Sequence, residues 1–419
     1  MSDSNFEEFY YPEIDVEVVE RYRPNGFHPT IIGDTFCDAR DHRFSRYVAL
    51  KIVIAGESQE SREGGILRLL AKGIRTASFF SEGQNGRHRC LVQEPAGYNV
   101  VASKENSSSC MFPRDAARSI AAQLIMGLYY LHKNDICHGD LYPHNFLLRV
   151  PGFDNLDPAE LYERLERPLE IPLRRLDGKT PAPHGPPHVF LVWRMPATKM
   201  EDPEIITTDY GTFFVASQTS SPTLQTPDLY APPEALFEEP ITIPTAVDIW
   251  TRGISLYEVL GRRRLFEAFA WCPDDIIGEM ARSESLNQNG AWVSDFKRFK
   301  DPDSRSLHQK MWTMERGKTP ETCEWDVQGG EMRALEDMLR SMMSFEPEKR
   351  PTANQLLESE YMVKWALPAW ERQKQRKMEK DRNSDPDTTG IEQFSPSRAL
   401  AIVQAHLDGN EPLSIVLRK

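Results

Sequence analysis

The stretch "ICHGDLYPHNFLL", residues 136–148, sets His138, Asp140 and Asn145 within eight residues, ahead of the apolar pair Leu147 and Leu148. Three chemistries use such a triplet. His138, Asp140 and His144 are ligand types that suit zinc, although no HExxH and no cysteine pair accompanies them. Asp140 alone suits a turn, which aspartate commonly organises. The third use is chemistry on a phosphate, which needs a carboxylate near the attacking group and oxygen or amide ligands for a divalent cation.

Composition narrows the setting. A chain of 419 residues is too long for one small core and predicts two lobes or domains. Its 40% hydrophobic and 27% charged content is that of an ordinary globular protein. A net charge of −13 argues against nucleic acid as a direct partner, because phosphate backbones repel such a surface, and it suits a basic peptide. The opening "MSDSNFEEFYYPEIDVE" has no apolar segment of the kind a signal peptide carries. The longest apolar stretch, "SIAAQLIMGLYYL", has 13 residues, too few to span a bilayer. The six cysteines show no CxxC spacing. The expectation is an intracellular monomer, cytoplasmic or nuclear, with no membrane partner.

Along the chain, "RYVALKIVI" (46–54) reads as a strand, with Val48, Leu50, Ile52 and Ile54 on one face and Ala49 and Lys51 on the other. Residues 61–73 read as a helix carrying Glu63, and 88–94 as a second strand. Pro113 opens a long helix whose buried stripe is Ala117, Ile120, Ala121, Leu124, Leu128 and Leu131. "KTPAPHGPPH" (179–188) reads as loop, and helical patterns return at 246–260 and 331–343. Beyond Trp370 the charged tail, with its basic run "RQKQRKMEK", reads as disordered apart from a short helix at 397–407. Strands first and helices after predict an α+β protein.

"HGDLYPHN" resembles the catalytic loop of eukaryotic protein kinases, H-R-D-L-x-x-x-N. It stands in that family's order with "VALK" on a strand, Glu63 on the next helix, "DYG" (209–211), "APPE" (231–234), "DIWTRG" (248–253) and "EPEKRPT" (346–352). The resemblance covers residues 31–368. It implies a two-lobed protein-kinase-like fold, with a small β-rich lobe and a large helical lobe. The implied organisation is an arm at 1–30, a truncated small lobe and hinge at 31–97, a large lobe at 98–368 with an insert about 151–200, and a disordered tail at 369–419. Small-molecule kinases also use H-G-D loops, but "APPE", "DIWTRG" and Arg350 belong to the protein kinases.

The resemblance also implies roles. Asp140 is the base or hydroxyl-orienting residue, and Lys51, paired with Glu63, contacts the nucleotide phosphates. ATP would touch Ala49, Lys51, Glu94, Ala96, Asn145 and Asp209, and Asn145 and Asp209 would ligate Mg²⁺. His138, Asp248 and the pair Glu234–Arg350 would support the fold. Asn145 and Asp209 stand 64 positions apart, an insertion similar to that of the kinases of serine/arginine-rich splicing factors, especially fungal ones. Protein substrates with Arg/Ser-rich segments follow as the expectation.

The chain also departs from that family. Only Gly26 and Gly33 precede Lys51, so the Gly-rich motif G-x-G-x-x-G is absent, with an apparent junction near Asp38–Ala39. Gly139 replaces an arginine and Tyr142 a lysine. Loss of that lysine is comparable to loss of an oxyanion donor, ~3 kcal/mol of barrier or ~10² in rate. Impaired activity, or a pseudokinase acting as a binding module, is the alternative these departures raise.

Overall fold

The computed structural model describes residues 10–11, 19–30, 47–61, 63–70, 78–150, 202–267 and 324–384, with shorter pieces between 159 and 190 and between 276 and 316. The junction near Asp38–Ala39 and the helix expected at 397–407 lie outside the described residues. The chain forms two compact units, Met1–Gly97 with Arg149–Pro196, and Tyr98–Leu148 with Ala197–Val416.

The smaller unit is built on a three-stranded antiparallel sheet. Strand β1 (Ala49–Ile52) pairs with β3 (Gly86–Gln93), which pairs on its other side with β2 (Ser78–Gly83). The register sets Ala49 opposite Gln93 and Lys51 opposite Leu91. Helix α1 (Glu63–Leu70) follows β1 and buries Ile66, Leu67 and Leu70.

The arm and the insert depart from expectation. Tyr10–Tyr11 pairs antiparallel with Arg174–Arg175, and Glu170–Pro172 pairs with His188–Phe190. Val19, Leu173 and Val189 form a small apolar cluster with Tyr22 and Ile171 against it. Asn85, in the β2–β3 turn, ties these pieces together. Its Nδ2 donates to the carbonyls of Phe27 and His184, and its carbonyl accepts from Asn25 N. The insert, expected in the large lobe, therefore belongs to the smaller unit, and the arm is anchored there. Among the described residues the two segments share one apolar cluster, so each covers apolar surface of the other.

The larger unit centres on α2 (Arg114–Lys133), whose predicted stripe is buried. Ala116, Ser119, Ala122, Gln123 and Ile125 are buried too, so the helix is covered on more than one side. α3 (Pro244–Leu260) packs on it, as does the C-terminal helix α5 (Leu367–Ser384), while α4 (Glu331–Met342) packs on α3. α5 corrects the expectation of a disordered tail from 369. Leu367, Ala369 and Trp370 are buried, and Arg372 pairs with Asp115 at 3.2 Å. Its partners lie more than 160 positions upstream, so its composition alone suggests a solvated segment. Among the described residues no helix is long and apolar enough to cross a membrane.

One buried ion pair of the larger unit is Arg350–Glu234. Nη1 and Nη2 of the arginine meet Oε1 and Oε2 of the glutamate, each at 2.7 Å. Nη1 also donates to Ala246 O and Nε to Ser344 O, so the buried fork has partners on every side.

Candidate active site

In the smaller unit, the alternation of β1 brings Lys51 towards α1. Its Nζ lies 2.8 Å from Glu63 Oε2 and donates to Oε1 at 3.0 Å. Glu63 is 3% exposed and Lys51 37%, so the carboxylate is the fixed partner and the ammonium the reachable one. Glu94, an expected nucleotide contact, forms an ion pair with Arg149 at 3.0 Å, and Ala96 opens a short strand, Ala96–Asn99.

In the larger unit the opening stretch becomes a two-residue strand β4 (Ile136–Cys137), a loop, and β5 (Phe146–Arg149). β5 pairs antiparallel with β6 (Ile205–Thr207), Phe146 opposite Thr207. Thr208 N then donates to Asn145 O at 3.0 Å. This ladder carries Asn145 and Asp209 to the same end of two adjacent strands, although 64 positions separate them in the chain.

Backbone hydrogen bonds fix the loop from below. Asp248, on α3, accepts from His138 N at 2.9 Å and Gly139 N at 3.0 Å, and its Oδ2 lies 3.1 Å from His132 Nε2. Burial alone would raise the Asp248 carboxyl, but His132 and these hydrogen bonds hold it below the usual range. His138 is fully buried, and burial holds its pKa down, so its Nε2 carries the proton it donates to Thr208 O at 3.0 Å. The zinc reading fails because, among the described residues, His138, Asp140 and His144 do not bring their ligand atoms within reach of one another. His138 is committed to Thr208 O, and His144 stacks on Tyr142 at 5.1 Å. Among the described residues, His132, Cys137 and Asp248 also stand within ligand reach of one another, but both Asp248 oxygens already hold the loop backbone.

Asp140 sits on this platform. Asn145 Nδ2 donates to its carbonyl at 2.8 Å and to its Oδ2 at 2.9 Å. Oδ1 is buried with no hydrogen-bond partner. Burial pushes the carboxyl up to about 6, against the Asn145 hydrogen bond and with help from the charges of Asp209 and Asp248. Because the Asn145 amide nitrogen is spent on Asp140, its carbonyl oxygen is the atom left for a cation. Asp209 is exposed and has a left-handed backbone, φ 63° and ψ 61°, uncommon outside glycine. Oxygen donors of this kind fit a hard cation such as Mg²⁺.

Two departures are visible here. Tyr142 lies 5.6 Å from Tyr230, whose hydroxyl donates to Glu258, and burial with the charges of Asp140 and Asp209 keeps the Tyr142 phenol protonated. The loop therefore carries no cation at that position. Gly139 has φ 76°, and a Cβ there would lie 3.1 Å from Phe214 Cε1 and from Thr212 O. Gly139→Ala is expected to cost about 1–2 kcal/mol, read as a lowered Tm, since left-handed backbone and a tight contact act together.

Sequence reading missed Thr226 and Thr212, whose hydroxyls donate to Gly139 O and His138 O. Their signal was weak, because threonines in loops are common.

The model of the protein kinase domain family matches residues 36–154 and 198–362, most of the chain. Protein kinase dsk1 of Schizosaccharomyces pombe is 31% identical over 32% of this chain and 31% of its own length. The serine/threonine-protein kinase SRPK of Physarum polycephalum is 25% identical over 83% of this chain and 91% of its own length. SRSF protein kinase 3 of Homo sapiens is 32% identical over 31% of this chain and 29% of its own length. The matched stretches thus span less than a third of the fission-yeast and human proteins. A crystal structure of a kinase domain aligns over 77% of this chain and 89% of its own, at 18% identity and TM-score 0.47. On the extent of the family match the chain belongs to the protein kinase family, and it resembles kinases named SRPK and SRSF protein kinase 3.

Proposed function

We propose that the chain catalyses ATP-dependent phosphorylation of serine or threonine in proteins, with Arg/Ser-rich segments as acceptors. The observation that carries this reading is Asp140, a part-buried carboxylate with one oxygen held by Asn145 and the other without a partner. That oxygen is free to accept the proton of an acceptor hydroxyl, and a pKa of about 6 leaves the group mostly ionised at neutral pH yet more basic than an ordinary aspartate. Asn145 and Asp209 would hold Mg²⁺, which when bound neutralises charge on the transferred phosphate. Lys51, fixed by Glu63, would hold nucleotide phosphates. The net charge of −13 supports a basic acceptor, and relatives named SRPK and SRSF protein kinase support the Arg/Ser class.

The missing Gly-rich motif and the missing cation at Tyr142 make this a slow enzyme, since the motif would align the phosphate and the cation would neutralise it. The test is transfer of radiolabelled phosphate from Mg²⁺–ATP to an Arg/Ser-repeat peptide, beside an acidic control peptide. Transfer to the basic peptide alone is the expected result. No transfer, together with no thermal stabilisation by Mg²⁺–ATP, would establish the binding-module alternative instead.

The same assay reads Asp140. Its carboxylate must be ionised to accept a proton, so the rate should be flat above pH 7 and fall about tenfold per pH unit below about 6. A profile that stays flat down to pH 5 would remove Asp140 from that role.

A further inference from the structure

We propose that helix α5 is a strap that positions Asp209, with Arg376, Lys377 and Lys380 as positioning residues. The proposal rests on Asp209 serving the reaction above. The matched kinase domain ends at 362, so α5 is an addition to it.

The segment 202–204 leads directly into β6 and from there to Asp209. It has no strand partner of its own among the described residues, so its polar groups need others. α5 supplies them. Arg376 Nε and Nη2 both reach Asp202 Oδ1, at 2.8 and 2.6 Å, and Lys380 Nζ reaches Oδ2 at 2.8 Å. Lys377 pairs with Glu204. Between these carboxylates the Pro203 carbonyl accepts from Gln373 Nε2 of α5 and from Gln123 Nε2 of α2, each at 2.8 Å. Gln123 Oε1 accepts from Ile205 N at 2.9 Å, the first residue of β6. Ser119 Oγ donates to Gln373 Oε1 at 2.6 Å, joining the two helices at the same point.

Four consecutive residues, Asp202 to Ile205, are thus gripped before the chain enters the strand. Four residues beyond Ile205, the first of β6, the backbone turns left-handed at Asp209, a conformation that persists where the surroundings over-determine it. The grip on 202–205 and the Asn145 ladder fix the strand from its two ends. A basic run such as 372–380 also suits an anionic surface, but Arg376, Lys377 and Lys380 are already paired with carboxylates of this chain.

The test uses the full chain and three variants, Lys377→Glu, Glu204→Lys and both together. Lys377 is 44% exposed, so its replacement does not threaten the core. Hydrogen exchange at the amides of 205–207 is expected to quicken roughly tenfold in either single variant. The Mg²⁺ concentration for half-maximal phosphate transfer should rise about fivefold, with Tm within about 2 °C of wild type. The double variant should restore both. A merely stabilising helix would lower Tm and leave the Mg²⁺ dependence unchanged. Unchanged exchange in the single variants, or failure of the double variant to restore it, overturns the strap. Should the wild-type chain transfer no phosphate, the catalytic reading falls, and exchange alone decides the strap.

Discussion

Asp209→Asn should lower phosphate transfer roughly 10³-fold or more while the chain keeps its fold. Asparagine is the informative replacement because the backbone at 209 is left-handed, at φ 63°, and asparagine tolerates that region better than alanine does. The variant therefore removes charge from the proposed cation site without forcing the β6 end to rearrange. Asp209 is exposed, so no core packing is lost with the carboxylate. Thermal stabilisation by Mg²⁺–ATP should fall with the rate, whereas the Tm of the ligand-free protein should not. Asp140→Asn, by contrast, should cut transfer and leave the Mg²⁺-dependent stabilisation in place, since Asp140 is assigned to the acceptor hydroxyl. A rate for Asp209→Asn within tenfold of wild type would remove it from the cation site. Loss of both readouts in Asp140→Asn would merge the two roles.

The contrast between those two carboxylates marks what the sequence makes legible. The roles expected of them come from the resemblance carried by "HGDLYPHN" and then "DYG", motifs that each need only their own neighbours to form. The Asp248 contacts to His138 and Gly139, the Arg350–Glu234 fork and the Lys51–Glu63 pair join residues distant in the chain, and they are legible only through the resemblance to the protein kinases. Strand β2 was not anticipated, although "SFFSEGQNG" carries turn chemistry ahead of a strand already recognised. What remained hidden depends on partners distant in the chain. Nothing local in 372–380 says that its cations meet Asp202 and Glu204, and polarity alone reads as solvation. Likewise the polar Ser119 and Gln123 look like the wet side of α2, yet both are buried where α5 lies against it. The insert's allegiance likewise rests on distant partners, Asn85 for His184 and Tyr10–Tyr11 for Arg174–Arg175.

The largest effect on stability is expected at Glu234–Arg350. Glu234→Ala should cost about 3–5 kcal/mol, because it leaves a buried guanidinium without its counter-charge. Arg350 would keep Ser344 O and Ala246 O, which are dipoles and not charges. Arg350→Ala should cost as much, for it strands the Glu234 carboxylate, 5% exposed, and removes the cation lying 5.0 Å from the Trp250 ring. The two losses should not add. With both groups gone no buried charge is left unpaired, so Glu234→Leu with Arg350→Met should be more stable than either alanine variant. Urea unfolding of wild type, the two alanine variants and the double alanine variant gives the coupling directly. Because Glu234 follows the loop holding Thr226, whose hydroxyl meets Gly139 O, the single variants should also slow phosphate transfer where the apolar pair largely retains it. Additive losses in the double variant would show that the fork acts through packing and not through charge.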